Sequence, residues 1–272
     1  MVGGVESSVD STALGRAHSH PPVEIRLLGP WSIRRHGIPQ ALPASRKVRA
    51  LLAYLALAPQ AVTRSQLCEL LWDVPSDPRG ELRWCLSKIR GLVDEPGRHR
   101  VVTAADTVRL DLAGCFVDAL EIAEAARSVP TIATDRLPVL ATLFAGDILD
   151  GLEIDRSPAF DGWLAAQRRR FRAWHVALLD RLAGGAPDDE AVAYLDRWLE
   201  LAPFDRRAHE LLLRVLARQT RLAEGEAHLA SAARLFEAEG IDWAPLRDAW
   251  RSARAHAVPS VGATASPVAT HA

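Results

Sequence analysis

The sequence predicts a mainly α-helical fold, in which a small module of three helices and short strands precedes a region of helical repeats. Three observations predict this fold class. The first 112 residues alternate β-rich runs with amphipathic helical segments, and the rest of the chain keeps apolar residues at helical spacing. Within that second part, similar residues recur 34 positions apart.

Length and composition favour two domains. A chain of 272 residues with 49% apolar content can bury two cores, which we expect at residues 23–112 and 113–254. Residues 1–22 and 255–272 are rich in small and polar residues, so we expect disordered tails there. No apolar run approaches the ~20 residues of a membrane-spanning helix, and the N-terminus lacks a signal-peptide pattern.

Cysteine usage and charge narrow the function classes. Three scattered cysteines without a CxxC pair fit a reducing cytoplasm and predict neither a zinc site nor a disulfide framework. Residues 23–112 contain 14 Lys and Arg against 9 Asp and Glu, a net charge of +5, whereas residues 113–254 contain 18 against 23, a net charge of −5. A basic first domain joined to an acidic second one favours a polyanion-binding module followed by a module with another role.

The first domain opens with strand-like runs that predict a small antiparallel sheet, at residues 23–28, 31–34 and 40–42. A helix follows, which Ser45 can cap and Pro59 ends. Arg46 and Lys47 occupy its first turn, where the helix dipole disfavours cations by about 0.3–1 kcal/mol. Basic residues at this position are typical of a site for an external anion, and exposed arginines at helix starts are also common by chance.

A second helix is predicted by a capping box. Thr63 and Gln66 stand three residues apart, so that the hydroxyl and the amide can each bond the backbone of the other residue. The apolar residues that continue the pattern at helical spacing are Leu67, Leu70 and Leu71.

The third predicted helix, at residues 77–92, says most about function. Asp77 followed by Pro78 is typical of an N-cap and a first helical residue. One face of the helix is apolar, and the other is cationic and hydrogen-bonding. That second face comprises Arg79, Arg83, Ser87 and Arg90, with Trp84 and Lys88 in a neighbouring row. Such a helix can lie in a DNA major groove, and it is equally typical of a solvated surface helix.

Two further β-rich runs, at residues 100–103 and 107–112, predict a hairpin across Ala104-Ala105-Asp106. Three helices closed by a β-hairpin describe a winged helix-turn-helix. In that arrangement the third helix reads DNA and the hairpin is the wing.

The second domain is predicted to be helical throughout, with early helices at residues 117–126, 135–144 and 159–183. The spacing of 34 aligns His175 with His209 and Leu195 with Leu229, and this is the period of tetratricopeptide hairpins. Two residues depart from that repeat, because Trp198 replaces a small residue and Gly225 replaces an alanine.

No sequence signature of catalysis or cofactor binding is present. The chain has no GxSxG, HExxH, Walker or dinucleotide fingerprint, so we expect neither an enzyme nor a cofactor. His175 and His209 are more typical of packing between helices than of metal ligation. The arginines at 168–170 and Arg172 are typical of a solvated helix face.

The order of motifs resembles a known family. The segments LLGPWSIRRHG, LPASRKVRALLAYLAL, VTRSQLCELLW and PRGELRWCLSKIRGLV resemble the OmpR-type winged helix of bacterial regulators. More narrowly, they resemble the antibiotic-regulatory-protein type, in which this winged helix is fused to a tetratricopeptide-like bacterial transcriptional activator domain. LFAGDILDGLEI, FDGWLAAQRRRFRAWHVALLDRLA and AVAYLDRWLELAPFDRRAHELLLRVLA are similar to that activator domain, so the resemblance spans residues 23–254.

The resemblance implies roles for individual residues. The segment matching 83–90 is the family's recognition helix, in which Lys88 and Arg90 take recurrent basic positions. The variable positions that select the DNA sequence fall on Arg83, Trp84 and Ser87. Arg64 and Trp72 match positions that hold DNA phosphates, although Trp72 is equally expected as core filling. Arg100 and Arg109 are candidate wing contacts, but Thr107-Val108 stands where the family has a Gly-Tyr pair.

We therefore expect a cytoplasmic regulator at the bacterial nucleoid that binds double-stranded DNA and activates transcription. The resemblance implies a homodimer on repeated half-sites and contacts of the repeat domain with the dimer partner or RNA polymerase. The alternative is a protein-interaction adaptor, in which the repeats bind partner proteins and the winged helix no longer binds DNA.

Overall fold

The computed structural model describes residues 21–73 and 77–257, and its mainly α-helical fold confirms the predicted fold class. The chain forms two compact units. The first contains the described residues up to Glu121 together with Ala145–Gln167. The second contains Ile122–Phe144 and the described residues from Arg168 onward. No helix in the described ranges is long and apolar enough to cross a membrane.

The first unit begins with seven strands and three helices, and the fourth strand lies between the first two helices. These elements are, in chain order, β1 (Val23–Arg26), β2 (Ser32–Arg35), β3 (Ile38–Pro39), α1 (Arg46–Leu57), β4 (Val62–Thr63), α2 (Arg64–Leu71), α3 (Pro78–Val93), β5 (Val101–Ala104), β6 (Thr107–Leu110) and β7 (Phe116–Val117). Two further helices, α4 (Asp118–Ala125) and α6 (Pro158–Gly185), contribute residues to both units.

The predicted N-terminal sheet exists but is larger than expected. Its strand order is β3-β2-β1-β7, and β7 runs parallel to β1. The turn between β2 and β3 has only His36 and Gly37 at its centre, with φ of 47° and 78°. This two-residue turn starts the third strand at Ile38, so the strand predicted at 40–42 was placed too late.

The capping residues predicted for α1 and α2 are confirmed. The Ser45 hydroxyl accepts the Val48 backbone N–H at 3.4 Å. Thr63 and Gln66 bond each other's backbone reciprocally at the start of α2, at 3.0 and 3.2 Å. These caps satisfy backbone N–H groups that have no partner inside the helix, so each fixes where its helix begins.

The predicted hairpin is also confirmed, and it belongs to a second sheet with strand order β4-β6-β5. β4 pairs with β6 through Val62–Val108 and Thr63–Thr107. Because β4 leads directly into α2, this pairing joins the turn end of the hairpin to the start of that helix.

A buried carboxylate ties the segment after the hairpin back to the first strand. Asp118 is fully buried and accepts backbone N–H groups of Leu27 at 2.8 Å and of Leu28 at 3.0 Å. Burial raises the pKa of this carboxyl, and the backbone donors partly offset that effect. The backbone N–H of Leu149 donates to the Leu27 carbonyl at 2.7 Å. These bonds explain why the first unit extends past the domain boundary predicted at residue 112.

The second unit contains the remaining helices: α5 (Arg136–Ala141), α7 (Asp188–Leu201), α8 (Arg206–Arg218), α9 (Leu222–Ala238) and α10 (Ala244–Ala257). A short 3₁₀ helix at Ala126–Thr131 follows α4. The predicted C-terminal tail begins later than expected, because α10 continues through Ala257. The rest of that tail lies outside the described residues, as does most of the N-terminal one.

The two departures from the repeat pattern have packing explanations. Gly225 lies against Trp250, and a Cβ added to Gly225 would stand 2.2 Å from the indole. One repeat earlier, the equivalent residues are Ala191 and Leu216. Trp250 on α10 is larger than Leu216, and Gly225 on α9 is correspondingly smaller than Ala191. Trp198 is 2% exposed and its indole N–H donates to Asp205, the N-cap of α8, at 2.9 Å.

The repeat histidines pack inside the second unit, as predicted. His175 is buried and stacks on Phe144 with ring centroids 4.0 Å apart. His209 Nε2 lies 2.9 Å from the Pro203 carbonyl, and His209 Nδ1 lies 2.9 Å from His228 Nε2. Since a carbonyl only accepts, His209 carries its proton on Nε2, and His228 Nε2–H donates to His209 Nδ1.

This histidine pair predicts an acid-sensitive second unit. Burial lowers the pKa of His209, and burial together with His209 lowers the pKa of His228 to about 4. Above the ordinary histidine pKa of about 6.5, His228 is neutral in both the folded and the unfolded chain. As the pH falls below that value, His228 gains a proton in the unfolded chain but not in the folded one. We expect His228 to account for a loss of about 2 kcal/mol in the free energy of unfolding between pH 7 and pH 5.

Urea unfolding at the two pH values measures this loss. His228→Gln keeps a side-chain N–H donor for His209 without a titrating group. The variant should lose less stability than the native chain over the same interval, and equal losses would contradict the assignment.

Candidate nucleic-acid interface

The third helix is capped and packed as the sequence predicted. The Asp77 carboxylate accepts the Gly80 backbone N–H at 2.8 Å, and Pro78 occupies the first helical position. The face that packs against α1 and α2 is buried and comprises Leu82, Cys85, Leu86, Ile89 and Val93. Because the apolar face is held by two helices, the rotation of α3 about its axis is fixed, and the opposite face is presented outward.

That outward face carries the predicted cationic and hydrogen-bonding side chains. Arg79, Arg83 and Ser87 are exposed, and Arg90 is half-buried. Arg83 approaches Asp77 only to 3.9 Å, and both side chains are more than 60% exposed, at 71% and 66%. An exposed pair at this distance is weak, so Arg83 is available to another anion.

Trp84 and Lys88 form a second row on the same helix. Trp84 is 48% exposed, which is unusual for so large an apolar side chain. The Lys88 ammonium lies 5.5 Å from the centre of the Trp84 ring. This cation–π contact holds both side chains on the exposed surface of α3, side by side.

The C-terminal end of α3 is fastened by Asp94. Its Oδ1 accepts the Arg100 backbone N–H at 2.8 Å, and its backbone carbonyl accepts the Arg35 guanidinium at 2.9 Å. The carboxylate also accepts the Val101 N–H at 3.3 Å. Asp94 therefore fixes the end of α3 to both sheets of the first unit.

Arg100 is not a wing contact, contrary to the prediction. Its side chain is fully buried and forms a salt bridge with Glu95 at 2.5 Å. It also donates to the backbone carbonyls of Asp111 at 3.3 Å and Ala113 at 3.1 Å. Because the side chain is fully buried and bonded to groups of the protein, it braces the hairpin and cannot reach a nucleic acid.

The hairpin is built as a wing but has a tight tip. Ala105 has a φ of 49°, an uncommon conformation for a residue with a Cβ. The glycine that the prediction noted as missing from the wing belongs two residues later, at Thr107. The Asp106 carbonyl accepts the Arg64 backbone N–H at 2.8 Å. Arg109 is exposed on β6, opposite Val102 in the strand register.

Arg64 is placed at the first residue of α2, and its side chain is half-buried. Its backbone N–H is used by Asp106, so only the guanidinium remains as a phosphate donor. Burial raises the pKa of the nearby Cys68 thiol, whereas Arg79 and Arg64 lower it.

Trp72, at the end of α2, is 6% exposed, and the Lys47 ammonium lies 5.2 Å from its ring centre. The core-filling role predicted for Trp72 is therefore present, and the phosphate role stays a prediction. The sequence analysis did not include Lys47 among the site residues. Its position in the first turn of α1, where the dipole disfavours cations, was the available signal.

No protein-family model matches the chain. The chain is 32% identical over 235 residues to Regulatory protein AfsR of Streptomyces coelicolor, with 80% of this chain aligned. The alignment covers 23% of AfsR, so the chain spans about a quarter of the length of that relative.

Among solved structures, the chain is similar to Mycobacterium tuberculosis EmbR, which was solved in complex with a low-affinity phosphopeptide. The TM-score is 0.62 and the identity 21%, over 87% of this chain and 69% of EmbR, and this similarity supports the fold. The homology to AfsR confirms the resemblance to the antibiotic-regulatory-protein type of regulator that the sequence predicted.

Proposed function

We propose that the chain is a sequence-specific, DNA-binding transcriptional regulator that reads the major groove with α3. The observation that carries this proposal is the exposed face of α3, where Arg83, Ser87 and Lys88 project from a helix whose other face is locked into the core. Arginine and lysine can donate to guanine and serine to any base, whereas phosphate contacts alone carry no sequence information.

Contacts around α3 would position the helix on the duplex. Arg64 and Arg79 are in the first turns of α2 and α3, respectively, and Arg109 is exposed on the wing. These three guanidinium groups suit the phosphate backbone, which supplies most of the affinity of such complexes and makes them sensitive to salt. Trp84 suits apolar contact with a thymine methyl group or a sugar.

The helical repeats of the second unit supply the regulatory half of the proposal. Stacked tetratricopeptide-like hairpins present extended surfaces for protein partners. We assign them the contacts with a second copy of the chain or with RNA polymerase, and expect two copies to bind half-sites about one helical turn apart. AfsR is a regulatory protein, which also favours a regulatory role for this chain. We assign that role to the bacterial nucleoid.

Fluorescence anisotropy with random duplex DNA across a salt series, followed by selection of bound sequences, tests the proposal. A steep salt dependence with an enriched, repeated motif is the expected result. Failure to bind DNA at low salt would contradict the proposal and would favour the protein-interaction adaptor. The tight wing tip at Ala105 is the structural indication for that alternative.

Arg64→Ala is expected to weaken binding to selected and random duplexes by the same factor. Its guanidinium would contact a phosphate, so its loss should reduce the slope of log K against log salt by about 0.9. Anisotropy titrations on both duplexes measure the two effects. Arg34→Ala, which removes an exposed charge from β2, should leave the slope unchanged. A loss confined to the selected sequence would show that Arg64 contacts a base instead.

A further inference from the structure

The helices of the second unit differ sharply in charge. α8 packs against α7, α9 and α10. α8 contains four arginines against one glutamate, and α10 contains three arginines against one aspartate. By contrast, α7 contains five acidic residues against one arginine, and α9 contains three glutamates against one arginine. The positive charge of an acidic region is therefore concentrated on the α8–α10 pair.

A groove of about 490 Å³ lies between these two basic helices. Its first wall carries Glu210, Arg214 and Arg218, which stand four residues apart on one face of α8. The second wall is part of α10 and has small side chains at its centre. It comprises Ala249, Ser252, Ala253 and His256. A groove of this volume accommodates a few side chains of a peptide, whereas a DNA duplex is too wide to enter it.

Both walls are held in place by neighbouring helices. Asp188 of α7 binds the Arg218 guanidinium through two hydrogen bonds, from Nη2 at 2.6 Å and from Nε at 3.0 Å. On the other wall, Trp250 anchors α10, because its buried ring lies against Gly225 of α9. The groove is therefore formed before any ligand binds, which lowers the entropy cost of binding.

Two charged groups of the groove are available to a ligand. Arg214 is exposed, and its Nε donates to the backbone carbonyl of Glu210, one turn earlier in α8, at 3.2 Å. Within the described ranges, its two terminal nitrogens form no salt bridge or hydrogen bond, and neither does the half-buried Glu210 carboxylate. The groove thus presents open N–H donors next to an open acceptor.

This combination favours a peptide over a nucleic acid. A peptide backbone offers both N–H donors and carbonyl acceptors, so it can use Glu210 as well as Arg214. Aspartate and glutamate side chains match a guanidinium group in charge and geometry. A phosphate backbone only accepts hydrogen bonds, and the Glu210 carboxylate would repel it. The excess of arginine on both helices adds long-range attraction for an acidic peptide.

We propose that the groove between α8 and α10 binds an acidic peptide segment of a partner protein. A carboxylate of the segment binds Arg214, and its backbone N–H groups bind Glu210. The proposal names the chemistry of the partner for the protein-contacting role that we assigned to the repeats, and it rests on that part of the proposed function. It does not depend on DNA reading by α3.

Selection of random peptides displayed on phage against the full chain supplies the probe. The recovered peptides should be enriched in aspartate and glutamate. Fluorescence anisotropy then compares one recovered peptide with a twin in which asparagine and glutamine replace every acidic residue. Because a hydrogen bond between charged groups is stronger than one to a neutral amide, the twin should bind at least ~10-fold more weakly.

Two variants test whether the peptide occupies this groove. Arg214→Glu reverses the charge on one wall, and Ser252→Trp fills the groove from an exposed position on the other. Each should weaken peptide binding at least ~10-fold. Arg234→Glu is the matched control, because it makes the same charge change on the exposed surface of α9 and should leave the affinity within about twofold. Circular dichroism checks that all three variants fold.

Recovery of no peptide, or of peptides without acidic residues, would overturn the proposal. Native peptide affinity in a folded Arg214→Glu variant would overturn it as well. If no peptide is recovered and Arg214→Glu converts a dimer into monomers in sedimentation, the groove is an interface between two copies of the chain instead.

Anisotropy with duplex DNA separates this proposal from the DNA-reading one. A chain that binds the acidic peptide but no DNA would support the peptide site while DNA reading by α3 fails. A chain that binds DNA selectively but no peptide would overturn the peptide site alone.

Discussion

Arg100→Met is expected to lower the free energy of unfolding by about 3–5 kcal/mol, because it leaves one partner of a buried ion pair alone. The Arg100 side chain is fully buried and donates to Glu95 through Nε at 3.0 Å and through Nη2 at 2.5 Å. Methionine fills a similar volume but donates nothing, so the Glu95 carboxylate, 14% exposed, would lose its main partner. The carbonyls of Asp111 and Ala113 would lose a donor as well.

Urea unfolding of the native chain, Arg100→Met and the double variant Arg100→Met/Glu95→Leu measures this effect. The double variant removes both charges, so it should recover most of the lost stability. If Arg100→Met keeps the native free energy of unfolding but binds DNA poorly, the buried role is contradicted. Arg100 would then be a wing residue that contacts DNA.

Replacing Arg83, Lys88 and Arg90 together by alanine is expected to abolish sequence discrimination. A good base contact is worth about 1–3 kcal/mol, and the whole difference between specific and non-specific binding is commonly about 4–10 kcal/mol. Loss of three such groups should therefore reduce affinity for the selected sequence at least ~10³-fold, to that for random DNA.

Two of the three side chains are exposed and the third is half-buried, so the variant should keep its fold. Circular dichroism and the urea midpoint check this. Arg34, Arg127 and Arg234, replaced by alanine together, remove the same charge from other surfaces and should retain most of the discrimination. This control separates a loss of base contacts from a loss of net charge.

Local signals made much of the first unit predictable. Ser45, Thr63 and Asp77 cap their helices with side chains that reach only three residues along the chain, so the sequence alone indicates each start. The buried stripe of α3 follows from helical spacing in the same way. Given those caps and that stripe, the outward face of α3 follows as well.

The errors lie where distant residues meet. β7 pairs with β1 across about 90 residues, and Asp118 accepts the Leu27 N–H over 91 residues, which no local pattern indicates. Arg100 looked like a surface cation on a hairpin, because its partner Glu95 lies before the strand and its acceptor carbonyls lie after the hairpin.

The most direct test of the proposed DNA reading is the ratio of affinities for the selected duplex and a random duplex, measured by anisotropy at one salt concentration. The native chain should favour its selected duplex by at least ~10³-fold, and the Arg83/Lys88/Arg90 alanine variant should bind both duplexes nearly equally. A folded variant that keeps the native ratio would contradict the assignment of α3 as the reading helix.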